Sequence, residues 1–481
     1  MIDLGSQILA VDPVPWARGQ MAFTLAFHIV LVPLGVSWAA MALIANYRGI
    51  KHDDADALRL AQRWSKYMAV TFAVGAVTGT VLTFEFGLLW PRFMDRWGEA
   101  FGIPFAVEGL FFFTEAIFIA IYIYGWRRLK PWPHFWTGVP VVIAGIGGSI
   151  SVVAANAWMN QPAGYTLDAA GKVTDVDPLG VIFNDAMPLQ AAHMVVAAYL
   201  VGGFLVASVY AFGMLRGRND RYHRLGFIIP FTVAAIATPV QMVVGDSLAR
   251  YVFENEPEKF AAIELVGETG DDVPETLFGW FNSDGEVTGG IPIPGMASIL
   301  SDPGDWTSTE IQGRDAFPED EQPTIRQANI VHWAWDVMVG LGTLLLLLSA
   351  WFGIVWWRRR DLPGPKLFLR IAAVSGILAV IAMEAGWVVT EVGRQPWIVV
   401  GEMKVEDAAT ANNAVWMTFL VILGVYAVVG VTTVLVLRGM ARRWREAEAV
   451  AEHDVPYGPP APVASPADPP AHDAGDREPV G

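Results

Sequence analysis

Residues 337–357 read VMVGLGTLLLLLSAWFGIVWW, and Arg358, Arg359 and Arg360 follow directly. A segment of about 20 apolar residues is long enough to cross the hydrocarbon core of a bilayer as a helix. An extended strand in lipid would leave its backbone groups without partners, so helix is the state that this stretch adopts. The stretch therefore predicts a membrane-spanning helix that ends at a basic connection.

Eight further segments have the same apolar character, which gives nine candidate spans. The nine lie near residues 21–45, 67–90, 103–126, 136–159, 188–214, 226–248, 329–357, 367–390 and 413–438. The composition agrees, because 54% of the 481 residues are hydrophobic and only 17% are charged. A soluble chain seldom has that balance. The sequence predicts an all-α integral membrane protein with nine transmembrane helices.

Positive charge is concentrated in alternate connections between the spans, although the net charge is −16. The basic residues that follow spans one, three, five, seven and nine include Arg48, Lys51, Arg63, Arg127, Arg128, Lys130, Arg216, Arg224, Arg358, Lys366, Arg438 and Arg443. Basic loops stay in the cytoplasm. We therefore expect the N-terminus outside and the C-terminus in the cytoplasm. No removable signal peptide is expected, because the N-terminus lacks a basic segment before a short apolar run.

The chain divides into four regions by composition. Residues 1–248 carry the first six spans, and 329–440 carry the last three. The acidic, Pro- and Gly-rich connection 249–328 is long enough to suggest a function on the outer side. The tail 441–481 is rich in Pro, Ala and acidic residues, which predicts disorder.

Several ionisable residues fall inside the predicted spans, where burial is costly and usually functional. They are His28, Glu85, Glu108, Glu115, His193, Asp336, Glu384 and Glu391, and Met338 is a possible thioether ligand. The topology places many of them in the outer half of the membrane. Histidine and methionine on different helices suit haem iron. The absence of cysteine excludes thiolate ligands from this chain.

Simpler readings of the same residues remain open at this point. A single histidine in a membrane is more often a hydrogen-bond partner between helices than a ligand. Spacing alone does not separate His332 from His193, and Glu391 is three residues from a possible ion-pair partner, Arg394. An ion or proton transporter with buried carboxylates and no haem is the alternative function. A haem–copper oxidase fits poorly, and a subunit that only passes electrons is a third possibility.

The chain resembles subunit I of cytochrome bd-type quinol oxidases, of the short quinol-loop type, over roughly residues 16–440. The resemblance rests on Glu391-Val-Gly-Arg394-Gln395-Pro396-Trp397, on Glu384-Ala-Gly-Trp387, on Arg18-Gly-Gln20 with His28, on Thr78-Gly79-Thr80, on Phe84-Glu85-Phe86-Gly87 and on Ala155-Asn156-Ala157-Trp158-Met159. The pattern around Glu85 is also similar to cyanide-insensitive relatives. One departure is Asp336, which stands where some members of the family carry Arg.

The resemblance implies a role for each candidate residue. His28 and Glu391 would ligate the two haems of the oxygen-reducing pair, with Glu108 beside them and Glu115 delivering protons. The remaining implied residues are His193 and Met338 as ligands of the low-spin haem b, Lys259 and Glu264 at the quinol site, and Arg394, Trp387 and Trp397 as haem contacts or electron bridges. The implied cofactors are a low-spin haem b, a second haem b, and either haem d or a third haem b.

The implied activity is that of a quinol:oxygen oxidoreductase that separates charge across the membrane without a pump. Its implied partners are a second membrane subunit (subunit II), small single-span subunits, menaquinol or ubiquinol, O2 and lipid, with no nucleic acid. The implied location is the cytoplasmic (inner) membrane of a prokaryote.

Overall fold

The computed structural model describes residues 12–169, 171–302, 304, 309–448 and 457. Within them the helices are α1 Pro13–His52, α2 Ala55–Leu89, α3 Pro91–Gly125, α4 Pro131–Asn160, α5 Pro178–Ile182, α6 Met187–Leu215, α7 Arg221–Asn255, α8 Pro257–Ile263, α9 Met296–Ser301, α10 Ile325–Arg359, α11 Lys366–Gly393, α12 Val405–Ala408 and α13 Val415–Glu448. Nine helices of this described part are long and apolar enough to cross a membrane, so the predicted fold class is confirmed.

Three short antiparallel hairpins lie between the helices. Their strands are β1 Thr166–Leu167, β2 Val173–Thr174, β3 Glu275–Phe281, β4 Val287–Ile293, β5 Trp397–Val399 and β6 Met403–Lys404. A 3₁₀ turn spans Arg314–Ala316. The hairpins sit in connections, where the backbone groups that they pair would otherwise need water or side-chain partners.

Local capping signals set where several long helices begin. The Asp54 carboxylate accepts a hydrogen bond from the Ala57 amide (3.3 Å), and the Asp220 carboxylate accepts one from His223 (3.1 Å). At the start of α10, the Thr324 hydroxyl accepts a hydrogen bond from the Gln327 amide, and the Gln327 side-chain oxygen accepts one from the Thr324 amide. Each cap satisfies amides that have no partner within the first turn.

The bundle has two different ends. The basic end carries the connections 126–130, 216–220 and 360–365, with arginines in each. The loop end carries residues 256–324, including α8, α9 and the β3–β4 hairpin, and residues 394–414. The long connection is shorter than the predicted 249–328, because α7 continues to Asn255 and α10 starts at Ile325.

Aromatic packing fills the half of the bundle towards the basic end. Phe204, Phe227, Phe231 and Phe368 of α6, α7 and α11 are fully buried. The rings of Phe231 and Phe368 are 5.5 Å apart between centroids. Rings at such distances pack edge to face, and the many contacts of buried side chains give a dense core.

Helix α13 lies at the edge of the bundle, because only 6% of the residues in its most apolar stretch are buried. It continues to Glu448, so the predicted tail boundary at 440 is too early. The reason is a contact: the Trp444 ring lies 5.0 Å from the ring of Tyr67 on α2, which favours continued helix. Except for Tyr457, the rest of the predicted disordered tail lies outside the described residues.

Candidate functional site

A large cavity of about 1030 Å³ lies between α1, α2, α3, α4 and α11. The predicted site residues that line it are His28, Glu108, Glu115, Trp387, Glu391, Arg394 and Trp397. Its volume is at the upper limit of ligand pockets, which are roughly 300–1,000 Å³. The structure therefore brings together seven candidates from three separate stretches of sequence.

Among the described residues, His28 has a hydrogen-bond partner at one ring nitrogen. Its Nδ1 lies 2.8 Å from the Thr78 hydroxyl of α2. Gly79 adds room beside the ring, since a Cβ there would lie 3.1 Å from His28 Cε1. A hydrogen bond at one ring nitrogen fixes the ring and leaves the other nitrogen for a ligand. This arrangement suits Nε2 of His28 to bind a metal at the cavity.

The Glu391 carboxylate is paired with a buried guanidinium. Arg394 is 5% exposed, and its Nη2 donates to Glu391 Oε2 at 2.6 Å while its Nη1 donates to Asn156 Oδ1 at 3.1 Å. A buried arginine needs such partners to offset its loss of hydration. One oxygen of Glu391 is engaged by this pair, which orients the carboxylate.

Glu108 and Glu115 both line the cavity from α3. They are seven residues apart, so they lie on one helix face, about 10 Å apart along its axis. Gly145 of α4 comes close to the second carboxylate, because a Cβ at this glycine would lie 3.7 Å from Glu115 Oε1. The pair extends along the cavity wall towards the basic end.

His193 and Met338 do not line this cavity. His193 of α6 is contacted by the Gln241 amide nitrogen of α7, at 3.1 Å from its Nε2. The Met338 sulfur of α10 faces Gly386 of α11, where a Cβ would lie 2.9 Å from it. Helices α6 and α10 both pack on α7 and α11. The two residues thus belong to a neighbouring part of the bundle.

The two loop residues differ in their surroundings. Lys259 is buried, and its ammonium group contacts Glu256 and Asn160 Oδ1, the latter at 3.2 Å. Glu264 is also buried, but its Oε2 has no hydrogen-bond partner among the described residues. Burial, together with the nearby negative charge of Glu275, raises the pKa of Glu264 to about 8. Glu264 is therefore the group there that can exchange a proton near neutral pH.

Asp336 contacts the long loop and a histidine of its own helix. It accepts a hydrogen bond from the Phe278 amide at 2.6 Å and lies 3.4 Å from His332 Nε2. His332 Nδ1 bonds the carbonyl of Ile263 at 2.7 Å. Both nitrogens of His332 thus face groups of the chain. The two histidines differ in their partners: His332 faces a carbonyl and a carboxylate, whereas both ring nitrogens of His193 lie near the Gln241 amide nitrogen alone, at 3.2 and 3.1 Å.

Trp397 and Glu85 have simple partners, whereas Glu384 Oε1 is buried without a hydrogen-bond partner among the described residues. Trp397 donates from its indole nitrogen to the carbonyl of Glu321 at 3.1 Å. Glu85 is buried and accepts hydrogen bonds from Gln20 and Thr24 at 2.7 and 2.5 Å. It is not among the cavity-lining residues. Its contacts join α1 and α2.

Several residues that shape these sites have no role predicted from the sequence, although some of them belong to the quoted motifs. They are Thr78 beside His28, Gln241 beside His193, Asn156 beside Arg394, and Arg18, Arg326 and Gln395 on the cavity wall. Each is a polar residue in or beside an apolar span. That signal alone could mark them as functional, but not say which partner each would meet.

The fold and the cavity define an integral membrane protein with a buried site large enough for a macrocyclic prosthetic group, lined by histidine, carboxylate and arginine side chains. Comparison with known proteins gives the particular family. The family described as "Cytochrome bd terminal oxidase subunit I" matches residues 16–444. The chain belongs to this family.

Individual relatives agree over most of the length. A Bacillus subtilis (strain 168) protein named as a cytochrome bd menaquinol oxidase subunit I is 33% identical, covering 89% of this chain and 96% of the relative. A cytochrome bd ubiquinol oxidase subunit 1 from the same strain is 30% identical over 82% of this chain and 86% of its own. The solved bd oxidase of Geobacillus thermodenitrificans is 34% identical, with a TM-score of 0.82 and coverage of 90% of this chain and 99% of that one.

Membership of the family confirms the predicted resemblance and the class of activity. The chain is a multi-pass membrane oxidoreductase of the respiratory, haem-carrying type. The transporter alternative is therefore not favoured.

Proposed function

We propose that this chain oxidises quinol at its loop end and reduces O2 to water at the cavity. The relatives named for menaquinol and ubiquinol support quinol as the electron donor. The observation that carries the proposal is the cavity itself. It joins His28, Glu108 and Glu391 on three helices of a chain that belongs to a terminal oxidase family.

The orientation follows from charge. The basic end faces the cytoplasm and the loop end faces outside, because Lys and Arg are retained in cytoplasmic loops. The long helices then form the membrane part, with the connection 256–324 outside and the tail that follows Glu448 inside. The membrane is the cytoplasmic membrane of a prokaryote.

Haem fits the residues of the cavity. His28 keeps Nε2 available, Glu391 keeps one carboxylate oxygen, and Arg18 and Arg394 line the wall, where they can neutralise propionates. Trp387 and Trp397 line the same wall and provide flat apolar contacts. His28 and Glu391 would hold the oxygen-side haems. When bound, the haems carry electrons from quinol to O2.

His193 and Met338 would hold a low-spin haem b in the neighbouring part of the bundle. Glycines leave room beside both side chains, at Gly245 and Gly386. The remaining cofactors would be a second haem b and either haem d or a third haem b. Gln241 orients the His193 ring, as an outer partner does for a ligand histidine.

Glu264 acts as the base for quinol. Among the described residues, one oxygen of its carboxylate has no hydrogen-bond partner, and this oxygen can accept the quinol proton, which then leaves at the loop end. Lys259 positions the surrounding groups, because its ammonium group joins α8 to Asn160 at the end of α4.

Protons for water come from the other side. Glu115 lies nearer the basic end than Glu108, so the pair provides a route from the cytoplasm to the cavity. Release of protons outside and uptake inside separates charge without a pump. The partners would be a second membrane subunit, small single-span subunits, O2 and lipid.

The test is a reduced-minus-oxidised visible spectrum of the purified complex, with and without carbon monoxide. Haem bands with a carbon monoxide shift are expected, and a chlorin band in the red would assign haem d rather than haem b. A well-folded complex without haem would contradict the proposal. Haem bands that carbon monoxide leaves unchanged would indicate that the chain only passes electrons and does not bind O2.

A further inference from the structure

Tyr457 from the tail lies in a polar pocket at the basic end of the bundle. Its hydroxyl lies 2.6 Å from His134 Nδ1 of α4 and 3.0 Å from Asn46 Nδ2 of α1. His134 and Asn46 are both fully buried. A residue more than 400 positions from Asn46 in the sequence thus contacts polar groups inside the bundle.

The hydrogen bonds assign a donor or acceptor role to the Tyr457 hydroxyl and to both ring nitrogens of His134. His134 Nε2 lies 2.6 Å from the carbonyl oxygen of Tyr122, which can only accept, so Nε2 carries the ring proton. Nδ1 of His134 is then an acceptor, and the Tyr457 hydroxyl donates to it. The same oxygen accepts from the Asn46 amide. The pocket therefore requires one donor and one acceptor at one point, and a hydroxyl supplies both.

The walls of the pocket select an aromatic ring beneath that hydroxyl. The Tyr457 ring lies 5.2 Å from the Trp126 ring and 5.5 Å from the His134 ring, nearly perpendicular to the latter. His134 in turn stacks on Tyr122 at 4.5 Å. Edge and face contacts of this kind are favourable for aromatic rings. The chemical class that the pocket binds is a phenol.

The pocket also lies at the end of the Glu108–Glu115 face of α3. Tyr122 is seven residues after Glu115, as Glu115 is after Glu108, so all three share one helix face. The route for protons that we propose above would begin near Tyr122. His134 does not extend it, because its Nε2 proton is committed to a backbone carbonyl.

We propose that this pocket is a docking site for the chain's own tail, in which the Tyr457 phenol covers the basic end of the Glu108–Glu115–Tyr122 face. The covering role rests on the proposed function. The docking itself does not, because it depends only on Asn46, Trp126 and His134.

Chymotrypsin tests the docking directly, since it cleaves after Tyr457 only when the ring leaves the pocket. The intact detergent-solubilised complex is digested, and the fragment that begins at Gly458 is followed by mass spectrometry. Tyr457→Phe keeps the cleavage site but loses both hydrogen bonds, so cleavage should be roughly tenfold faster. Asn46→Ala should also speed it. Tyr124→Phe, at an exposed tyrosine of α3, is the matched control and should leave the rate unchanged.

Equal cleavage rates in the parent, Tyr457→Phe and Asn46→Ala would overturn the docking. This readout needs neither haem nor turnover, so it can succeed where the spectrum fails, and the two proposals fail separately.

A thiol reporter tests the covering role. The chain has no cysteine, and Ser65 is fully buried behind Trp126, whose indole nitrogen donates to it at 3.2 Å. In a Ser65→Cys background, maleimide alkylation at position 65 should be slow with the full tail. It should be roughly tenfold faster after Tyr457→Ala or truncation after Glu448.

Addition of p-cresol to the Tyr457→Ala variant should restore slow alkylation, because it supplies the missing phenol. Toluene has the ring without the hydroxyl and should not. Alkylation that is equally slow with and without the tail, or equal rescue by both compounds, would contradict a phenol site that covers this end.

Discussion

The two ends of the bundle fill their interior in different ways, and one histidine inside each end shows the difference. Near the loop end, His28 has Nδ1 on Thr78 and Nε2 at a cavity of about 1030 Å³. Near the basic end, His134 has both nitrogens engaged, by Tyr122 and Tyr457, and an aromatic ring on its face.

The comparison separates a histidine that can bind a metal from one that holds structure together. His134 is fully buried, whereas His28 is partly buried beside the cavity. The distinguishing feature is an uncommitted ring nitrogen beside open volume. By this criterion His332 lies between the two: its Nδ1 bonds the carbonyl of Ile263, while its Nε2 faces Asp336 at 3.4 Å without a hydrogen bond among the described residues, and it does not line the cavity.

The largest expected effect is from paired substitutions of these histidines. His28→Ala should remove the carbon monoxide-sensitive haem signal and reduce oxygen consumption to background, because the change deletes a proposed ligand. His134→Ala should keep the signal and lower only the thermal midpoint, because it leaves buried partners unpaired. The spectrum and the oxygen electrode provide the measurements. Loss of the haem signal in both variants would break the distinction.

Within the loop end, Glu264→Gln sharpens the assignment of the quinol base. We expect a loss of about a hundredfold in quinol oxidation at high pH, which is typical of removing a general base. The raised pKa of about 8 means that Glu264 is protonated below pH 8. The parent rate should therefore rise with pH through about 8, and the variant should lose this rise. A variant that keeps the parent's pH profile would exclude Glu264 as the base.

A smaller effect is expected from Gly386→Ala. Its new Cβ would lie 2.9 Å from Met338 Sδ, so the thioether must move. We expect a shifted band and a changed midpoint potential for the low-spin haem, with less loss of turnover than in Glu264→Gln. Gly340→Ala is the control on Met338's own helix, since a Cβ there meets nothing within 4 Å. Identical spectra for the two variants would argue against Met338 as a ligand.

The smallest effect is expected at the surface of the basic end. Arg224 pairs with Asp361 at 2.5 Å, and both side chains are largely exposed. Exposed ion pairs contribute little to stability. Arg224→Ala should shift the thermal midpoint by less than about 2 °C and leave turnover unchanged. A larger drop in the thermal midpoint, or a loss of turnover, would show that this ion pair matters for stability or activity.

The sequence predicts the fold well because a bilayer imposes length and apolarity on each span. Nine spans follow from hydropathy, and the positions of His28, Glu108 and Glu391 along the bundle follow from their place within spans. The depth of a residue in the membrane depends on its position along its own helix, and the sequence gives that position directly.

Partners were not predictable, because they depend on how helices rotate against one another. Thr78 and Gln241 meet their histidines through the packing of α2 on α1 and of α7 on α6. Asp336 stands two residues before Met338 in the sequence, yet its contacts are with the β3 strand and His332. The helical end at Glu448 depends on a contact between Trp444 and Tyr67 that no local pattern shows.

The position of α13 has a consequence for the order of events during synthesis. Thr418 donates to Gln20 at 2.9 Å, and the Tyr426 hydroxyl lies 3.4 Å from the carbonyl of Thr78, the residue that holds His28. At about 5–20 residues per second, the ribosome needs on the order of tens of seconds to get from the first helix to the last. The surroundings of His28 are thus completed only when the final span is inserted. Until then, α1 and α2 lie in the membrane without their contacts to α13.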